Sequence, residues 1–264
     1  MDAVVSIAGA EPWSATGSGR RKHTAVIVVH GFTANPVGTR PLGQRLAAEG
    51  YSVEVPLLPG HGTHHRDLGH TRYADWYATV EHLVDDLGER CEQVVLVGHS
   101  MGGTIALDLA SRREEVAALA VINPLIREPS GLMARLAPVL QYLAPYVPRQ
   151  LAGLPSDDIA RPDVEESAYA MVSSRAAQSL LRELPRIRSQ LGAVVQPLLV
   201  VRSPEDHTVS PRDPLIVLES VGSRDVRELV CERSYHVPQL DYDAPKVASA
   251  VLDLLADVSE QDRR

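Results

Sequence analysis

The chain has 264 residues, 44% of them hydrophobic and 23% charged, with a formal net charge of −8. That length and balance fit one large soluble α/β domain with room for a small insertion. The acidity speaks against a nucleic-acid binder, which needs a basic face for phosphate, and against electrostatic docking onto anionic lipid.

The opening residues MDAVVSIAGAEPW lack the basic start and apolar stretch of a signal peptide. No apolar run reaches the roughly 20 residues that span a bilayer. Cys91 and Cys231 stand far apart, in no metal-binding or CxxC spacing, and read as free thiols. A cytoplasmic protein is expected.

In chain order, residues 4–7 are expected to form an antiparallel edge strand, and 15–22 (ATGSGRRK) a loop. Strands are expected at 25–29 (AVIVV), 51–56 (YSVEVP), 93–97 (QVVLV), 119–123 (LAVIN), 197–202 (PLLVVR) and 227–231 (RELVC). Several are almost continuously apolar, as parallel strands buried on both faces are. Helical patterns fall at 41–49, 73–87, 101–113, 211–221 and 245–258; in the last, Val247, Val251, Leu254, Leu255 and Val258 share one face. The polar tail from residue 259 is expected to fray. Such alternation implies a mainly parallel sheet flanked by helices.

One segment breaks the rhythm. Residues 124 to about 173 show no strand pattern, only an apolar stretch (GLMARLAPVLQYLAPYVP) cut into short helices by Pro138 and Pro145. It is expected to form a helical cap, residues 124–195, over a core of residues 1–123 and 196–264. Its apolar side chains (Leu132, Met133, Leu136, Val139, Leu140, Leu143, Val147) either line an acyl channel or bury the cap against the core.

The strongest chemical signal is VVLVGHSMGGTIAL, residues 94–107, in which a strand runs into Gly98-His99-Ser100-Met101-Gly102 and a helix follows at once. This is the G-x-S-x-G nucleophile elbow in its required context. Ser100 must sit in a strained turn that a side chain at Gly98 or Gly102 would obstruct, and the helix behind it turns its positive end to the reacting centre. Such a serine needs a base, and the base an orienting acid, in the chain order serine, acid, histidine. SPEDHTVSP offers Glu205 and Asp206; the next loop, ERSYHVPQLDYD, offers His236, the last histidine in the chain. His207 and His99 read as structural neighbours, and Asp225, Asp241 and Asp243 as solvated or capping residues. Oxyanion donors are expected from the backbone N–H of Met101 and of Phe32, in the loop HGFT at 30–33. The histidines around Gly60-His61-Gly62 show no ligand carboxylate at recognisable spacing, so neither metal nor cofactor is expected.

These residues resemble the bacterial carboxylesterases and monoacylglycerol lipases of the α/β-hydrolase superfamily, above all the Bacillus-type monoacylglycerol lipases. The likeness runs through HGFT (30–33), RPL (40–42), PGHGT (59–63), DW (75–76), RC (90–91), SMGGT (100–104), DV-x-E-x-AY (163–169), EDH (205–207), and SYHV with LDYD (234–243). It implies an α/β-hydrolase fold with Ser100 as nucleophile, Asp206 as acid and His236 as base, and with Phe32 and Met101 as oxyanion donors. It also implies that Glu166 touches a glycerol head group, where the residues alone leave Glu165 and Glu166 equally free to face water. The sequence departs from the Bacillus-type pattern at His99, usually Leu, and across 124–150. The expected substrates are single-chain carboxylic esters, monoacylglycerols first, with peripheral lipid contact through the cap. The alternatives are a thioesterase or peptidase on the same triad, and a ligand-binding protein without turnover.

Overall fold

The computed structural model describes residues 7–128, 142–155 and 157–261. Its centre is a seven-stranded sheet built from β1 (Trp13–Ala15), β2 (Thr24–Val29), β3 (Ser52–Val55), β4 (Gln93–His99), β5 (Val116–Ile122), β8 (Leu198–Arg202) and β9 (Val226–Val230), in the order β1-β3-β2-β4-β5-β8-β9. Only β1 runs antiparallel to its neighbour. Two further strands, β6 (Tyr146–Pro148) and β7 (Met171–Ser173), pair with each other as a separate antiparallel ribbon.

The period of two along each strand divides the core into two layers. Ala25, Ile27 and Val29 of β2, Leu96 of β4 and Leu119 of β5 face α3 (Tyr73–Gly88), α4 (Met101–Ala110) and α5 (Ser174–Gln190). Val26, Val28, Val95, Val97 and Ala120 face α1 (Arg40–Ala48) and α7 (Ala244–Gln261). Every residue of α4 is buried. A short α2 (His65–Leu68) follows β3, and α6 (Arg212–Ser220) joins β8 to β9.

The strands expected at the six apolar runs form within a few residues of their expected bounds, and α7 buries the predicted face Val247, Val251, Leu254, Leu255 and Val258. Three expectations are corrected. The antiparallel edge strand is Trp13–Ala15, paired with Val53–Val55, whereas Ile7 lies in a bend and residues 4–6 fall outside the described residues. Residues 124–173 do contain strands, β6 and β7; each is only three residues long, so its pairing comes from tertiary contact and leaves no alternating pattern. The polar tail is helical further than expected: α7 runs to Gln261, with Ser259 Oγ donating to the Leu255 carbonyl at 2.7 Å, and residues 262–264 fall outside the described residues. Of the apolar cap stretch, residues 132, 133, 136, 139 and 140 lie outside the described residues.

α5 follows β7 directly. Its N-cap Ser173 accepts a hydrogen bond from the Ala176 amide, and Ala176, Leu180, Leu184 and Ile187 turn one face into the cluster shared with α3 and α4.

Candidate active site

The site lies at the C-terminal ends of β2, β4, β5, β8 and β9, where an open α/β sheet leaves its crevice. Ser100 joins β4 to α4 with φ 53° and ψ −116°, a conformation non-glycine residues rarely hold. The flanking glycines make this possible. A Cβ on Gly98 would collide with the Gly102 backbone, and one on Gly102 with the Val29 carbonyl. Gly102 therefore lets α4 press against the end of β2. Met101 opens α4, so its N–H has no intrahelical acceptor. Phe32 and Met101 line one cavity with Ser100, His236 and Glu166; its volume is about 180 Å³.

Asp206 sits in the loop after β8 and His236 in the loop after β9. Both are buried, and His236 Nδ1 lies 2.8 Å from Asp206 Oδ2. The other Asp206 oxygen accepts from the Thr208 and Val209 amides, each at 2.8 Å, while neighbouring Glu205 is exposed. Geometry thus separates the two carboxylates that spacing alone left open. Burial drives the His236 pKa down, but the charge and hydrogen bond of Asp206, helped by Glu166 and Asp158, outweigh it and hold the pKa above its ordinary value.

The loop that carries His236 has supports that sequence reasoning missed. The His236 carbonyl accepts from His99 Nε2 at 2.9 Å and from Asn123 Nδ2 at 2.9 Å. Asn123, fully buried at φ 43°, also receives the Ser203 amide at 2.9 Å, so one side chain joins the loops that carry Asp206 and His236. His99 is more than a packing residue, although its ring does lie 4.7 Å from that of His236. Because Nε2 donates to a carbonyl, the second nitrogen is an acceptor, and burial keeps the ring pKa well below its usual value. Asp241 and Asp243 were expected to be solvated or to cap; both are buried, and each accepts main-chain N–H groups of the base loop. No local pattern announces any of these contacts.

Glu166 is buried at 3% exposure, whereas Glu165 is exposed. The Glu166 carboxylate stands 3.7 Å from His99 Nδ1 and 3.9 Å from Arg149 Nη2, too far for a hydrogen bond to either. Burial raises its pKa, against the pull of Arg149 and His236. Opposite this polar end, Leu125, Leu154, Val172, Leu180 and Leu181 make the wall apolar. The histidines near Gly60 serve the scaffold: His61 packs on Trp76 at 5.5 Å, and His64 accepts from the Arg66 amide at the start of α2.

A parallel sheet with a serine at a strand-to-helix elbow, facing a buried carboxylate–imidazole pair, defines an α/β-hydrolase. Comparison with known proteins agrees. The family model described as "Serine aminopeptidase, S33" matches residues 20–243. The chain is 34% identical to the thermostable monoacylglycerol lipase of Bacillus sp. (strain H-257), over 95% of this chain and 96% of that one. It is 27% identical to a carboxylesterase of Bacillus subtilis (strain 168), over 88% and 92%. A solved structure reported with the metagenome-derived lipolytic enzymes LipS and LipT superposes with a TM-score of 0.87 at 31% identity, covering 95% of this chain and 99% of that chain. The chain belongs to this serine aminopeptidase S33 family of α/β-hydrolases, alongside bacterial carboxylesterases and monoacylglycerol lipases, and is an enzyme.

Proposed function

We propose that the enzyme hydrolyses single-chain carboxylic esters, monoacylglycerols first, through an acyl-enzyme on Ser100. The Ser100 oxygen attacks the ester carbonyl carbon as His236 Nε2, the ring nitrogen not engaged by Asp206, takes the hydroxyl proton. Asp206 holds the ring in that tautomer and stabilises the imidazolium. Negative charge on the carbonyl oxygen is met by the Phe32 and Met101 amides. Collapse expels the alcohol, which leaves with the proton from His236. Water then attacks the acyl-enzyme with His236 again as base, releasing the acid and restoring Ser100. No cofactor enters the scheme. We further read residues 124–195 as a cap inserted into the core of residues 1–123 and 196–264. A cytoplasmic location fits the two free cysteines. Among the described residues no helix is long and apolar enough to cross a membrane.

The observation that carries this reading is the 2.8 Å Asp206–His236 contact in the cavity that the elbow serine also lines. A peptidase is suggested by the family model's name, and Glu166 would be the carboxylate to receive an α-ammonium. Arg149 lines the same polar end, and its positive charge favours neutral hydroxyls over a cationic substrate.

The Glu166 carboxylate, buried and without a hydrogen-bonded partner among the described residues, is suited to accept from a glycerol hydroxyl. A site built for a hydroxyl discriminates against ligands lacking it. Glu166→Gln should therefore slow monoacylglycerol hydrolysis about ten- to a hundredfold more than hydrolysis of the p-nitrophenyl ester of the same acid, as expected for loss of a charge-assisted hydrogen bond. Rates on monoacylglycerol, p-nitrophenyl ester, acyl-CoA and an aminoacyl anilide, measured side by side for wild type and Glu166→Gln, check both statements. Equal slowing of both esters would leave Glu166 a support of the cap, and preference for the anilide would replace the esterase reading.

A further inference from the structure

The inserted segment is stitched to three of the loops that carry proposed catalytic groups. At the oxyanion loop, the Tyr169 amide donates to the Thr33 carbonyl at 3.0 Å, and Arg149 Nη1 to Thr33 Oγ1 at 3.1 Å. At the base loop, buried Asp241 accepts from the Ala160 amide at 2.7 Å and from the Tyr235 amide at 3.1 Å, joining the insert to the residue before His236.

The acid loop is held by the insert's own carboxylate. Asp158, 3% exposed, accepts from the His207 amide at 2.8 Å, from His207 Nδ1 at 2.8 Å and from Thr208 Oγ1 at 3.1 Å. These donors directly follow Asp206. A carboxylate withdrawn from water is costly unless charge-assisted hydrogen bonds replace its hydration, and here all three come from one turn. The same turn is gripped from within by Asp206 Oδ1, through the Thr208 and Val209 amides. Held from both sides, the turn presents Asp206 Oδ2 to His236. The contact continues to the base loop: the His207 ring meets Tyr235 edge-on, with centroids 4.7 Å apart.

We propose that Asp158 is a positioning residue for the acid–base pair, so that the inserted segment completes the catalytic machinery as well as covering it. The proposal rests on the roles given above to Asp206 and His236. Nothing in the chemistry requires Asp158 to touch substrate. It acts by fixing where the Asp206 carboxylate stands relative to the imidazole. A misplacement of about 1 Å at such a pair costs on the order of a hundredfold in rate.

The test uses the full chain and p-nitrophenyl acetate, whose acyl group is too short to depend on the insert's apolar lining. Asp158→Ala should lower kcat about ten- to a hundredfold while KM changes little, with folding checked by circular dichroism and Tm. Asp158→Asn keeps an acceptor for the His207 amide and should recover part of the loss. In both variants the rising limb of the pH–rate profile should move to lower pH. Asp206, Glu166 and Asp158 are the carboxylates that favour the protonated His236 ring, His99 lies against that ring, and Arg149 faces the same cavity. A merely structural role would lower Tm but leave kcat and the limb in place. A folded Asp158→Ala enzyme with wild-type kcat overturns the proposal; if that variant does not fold, Asp158→Asn is judged by the same criterion. Asp206→Ala, measured in parallel, separates the two readings. If it stays fully active, the acid–base assignment itself fails; if it is inactive while Asp158→Ala is unimpaired, only the positioning role fails.

Discussion

His236 is subject to opposing demands. Burial favours its neutral form, while the Asp206 carboxylate at 2.8 Å favours the charged one and prevails. As the proposed general base His236 must be neutral to accept a proton, so on this reading activity is lost as pH falls through its pKa. The raised pKa places the rising limb of kcat/KM above the ordinary histidine value of about 6.5. A pH–rate profile on a p-nitrophenyl ester checks this, and a limb centred below that value would contradict the arrangement. At this scale the sequence pointed to the groups proposed to do chemistry and hid those that hold them. Ser100 and His236 follow from motif and chain order, because chemistry fixes both the residue types and their sequence. Asn123, Asp158 and Asp241 each join several groups through hydrogen bonds, most of them distant in sequence, which polar residues could do from many places. Asn123 lies 80 residues from its partner Ser203, and Asp158 lies 49 from His207.

Among the elements, the β4–α4 elbow is the most tightly determined. Gly98 and Gly102 exist there because the backbones touch where a Cβ would stand, and Gly102 in particular admits α4 to the end of β2. Gly102→Ala should push α4 away from the Val29 carbonyl and part the Met101 amide from the Phe32 loop. A loss of about 3 kcal/mol or more in urea denaturation is expected, at or beyond the upper end for overpacking, with ester hydrolysis abolished. Near-normal stability would show that the helix can retreat at little cost. The elbow was legible for the same reason that it is intolerant: it demands particular residues at fixed spacing. β2, β4, β5 and β8 were legible because burial on both faces makes them apolar runs. β1, with Trp13 and Ala15 half-buried at the sheet edge, carries no such run, and the β6–β7 ribbon exists only because residues 146–148 and 171–173 meet in the folded chain.

For the molecule as a whole, burial of neutral histidines beneath the active site sets an acid limit. His30 donates Nδ1–H to the Gly31 carbonyl and accepts the Leu58 amide at Nε2, and burial lowers its pKa to about 4 despite the hydrogen bond to Gly31. The unfolded chain binds that proton near pH 6.5, so the contribution of neutral His30 is complete above about 6.5 and is lost as pH falls toward about 4. The loss is on the order of 3 kcal/mol for this group alone. His61 and His99, also held well below the usual value by burial, act in the same direction, and His236, with its raised pKa, opposes them. Tm measured between pH 7 and 5 should fall, and a flat or rising Tm would mean that these rings are solvated. The two-layered core was visible in the sequence as strands and helices in alternation, whereas the contacts of residues 149–169 with the loops of Thr33, His207 and Tyr235 were not, since they are made by hydrogen bonds across the assembled fold. All of this frames a single serine. Treating the folded protein with a fluorophosphonate and mapping the adduct by mass spectrometry tests that claim most directly. Stoichiometric labelling at Ser100, absent in a folded Ser100→Ala variant that has also lost ester hydrolysis, is the predicted result; an adduct at another serine, or undiminished hydrolysis by Ser100→Ala, would contradict it.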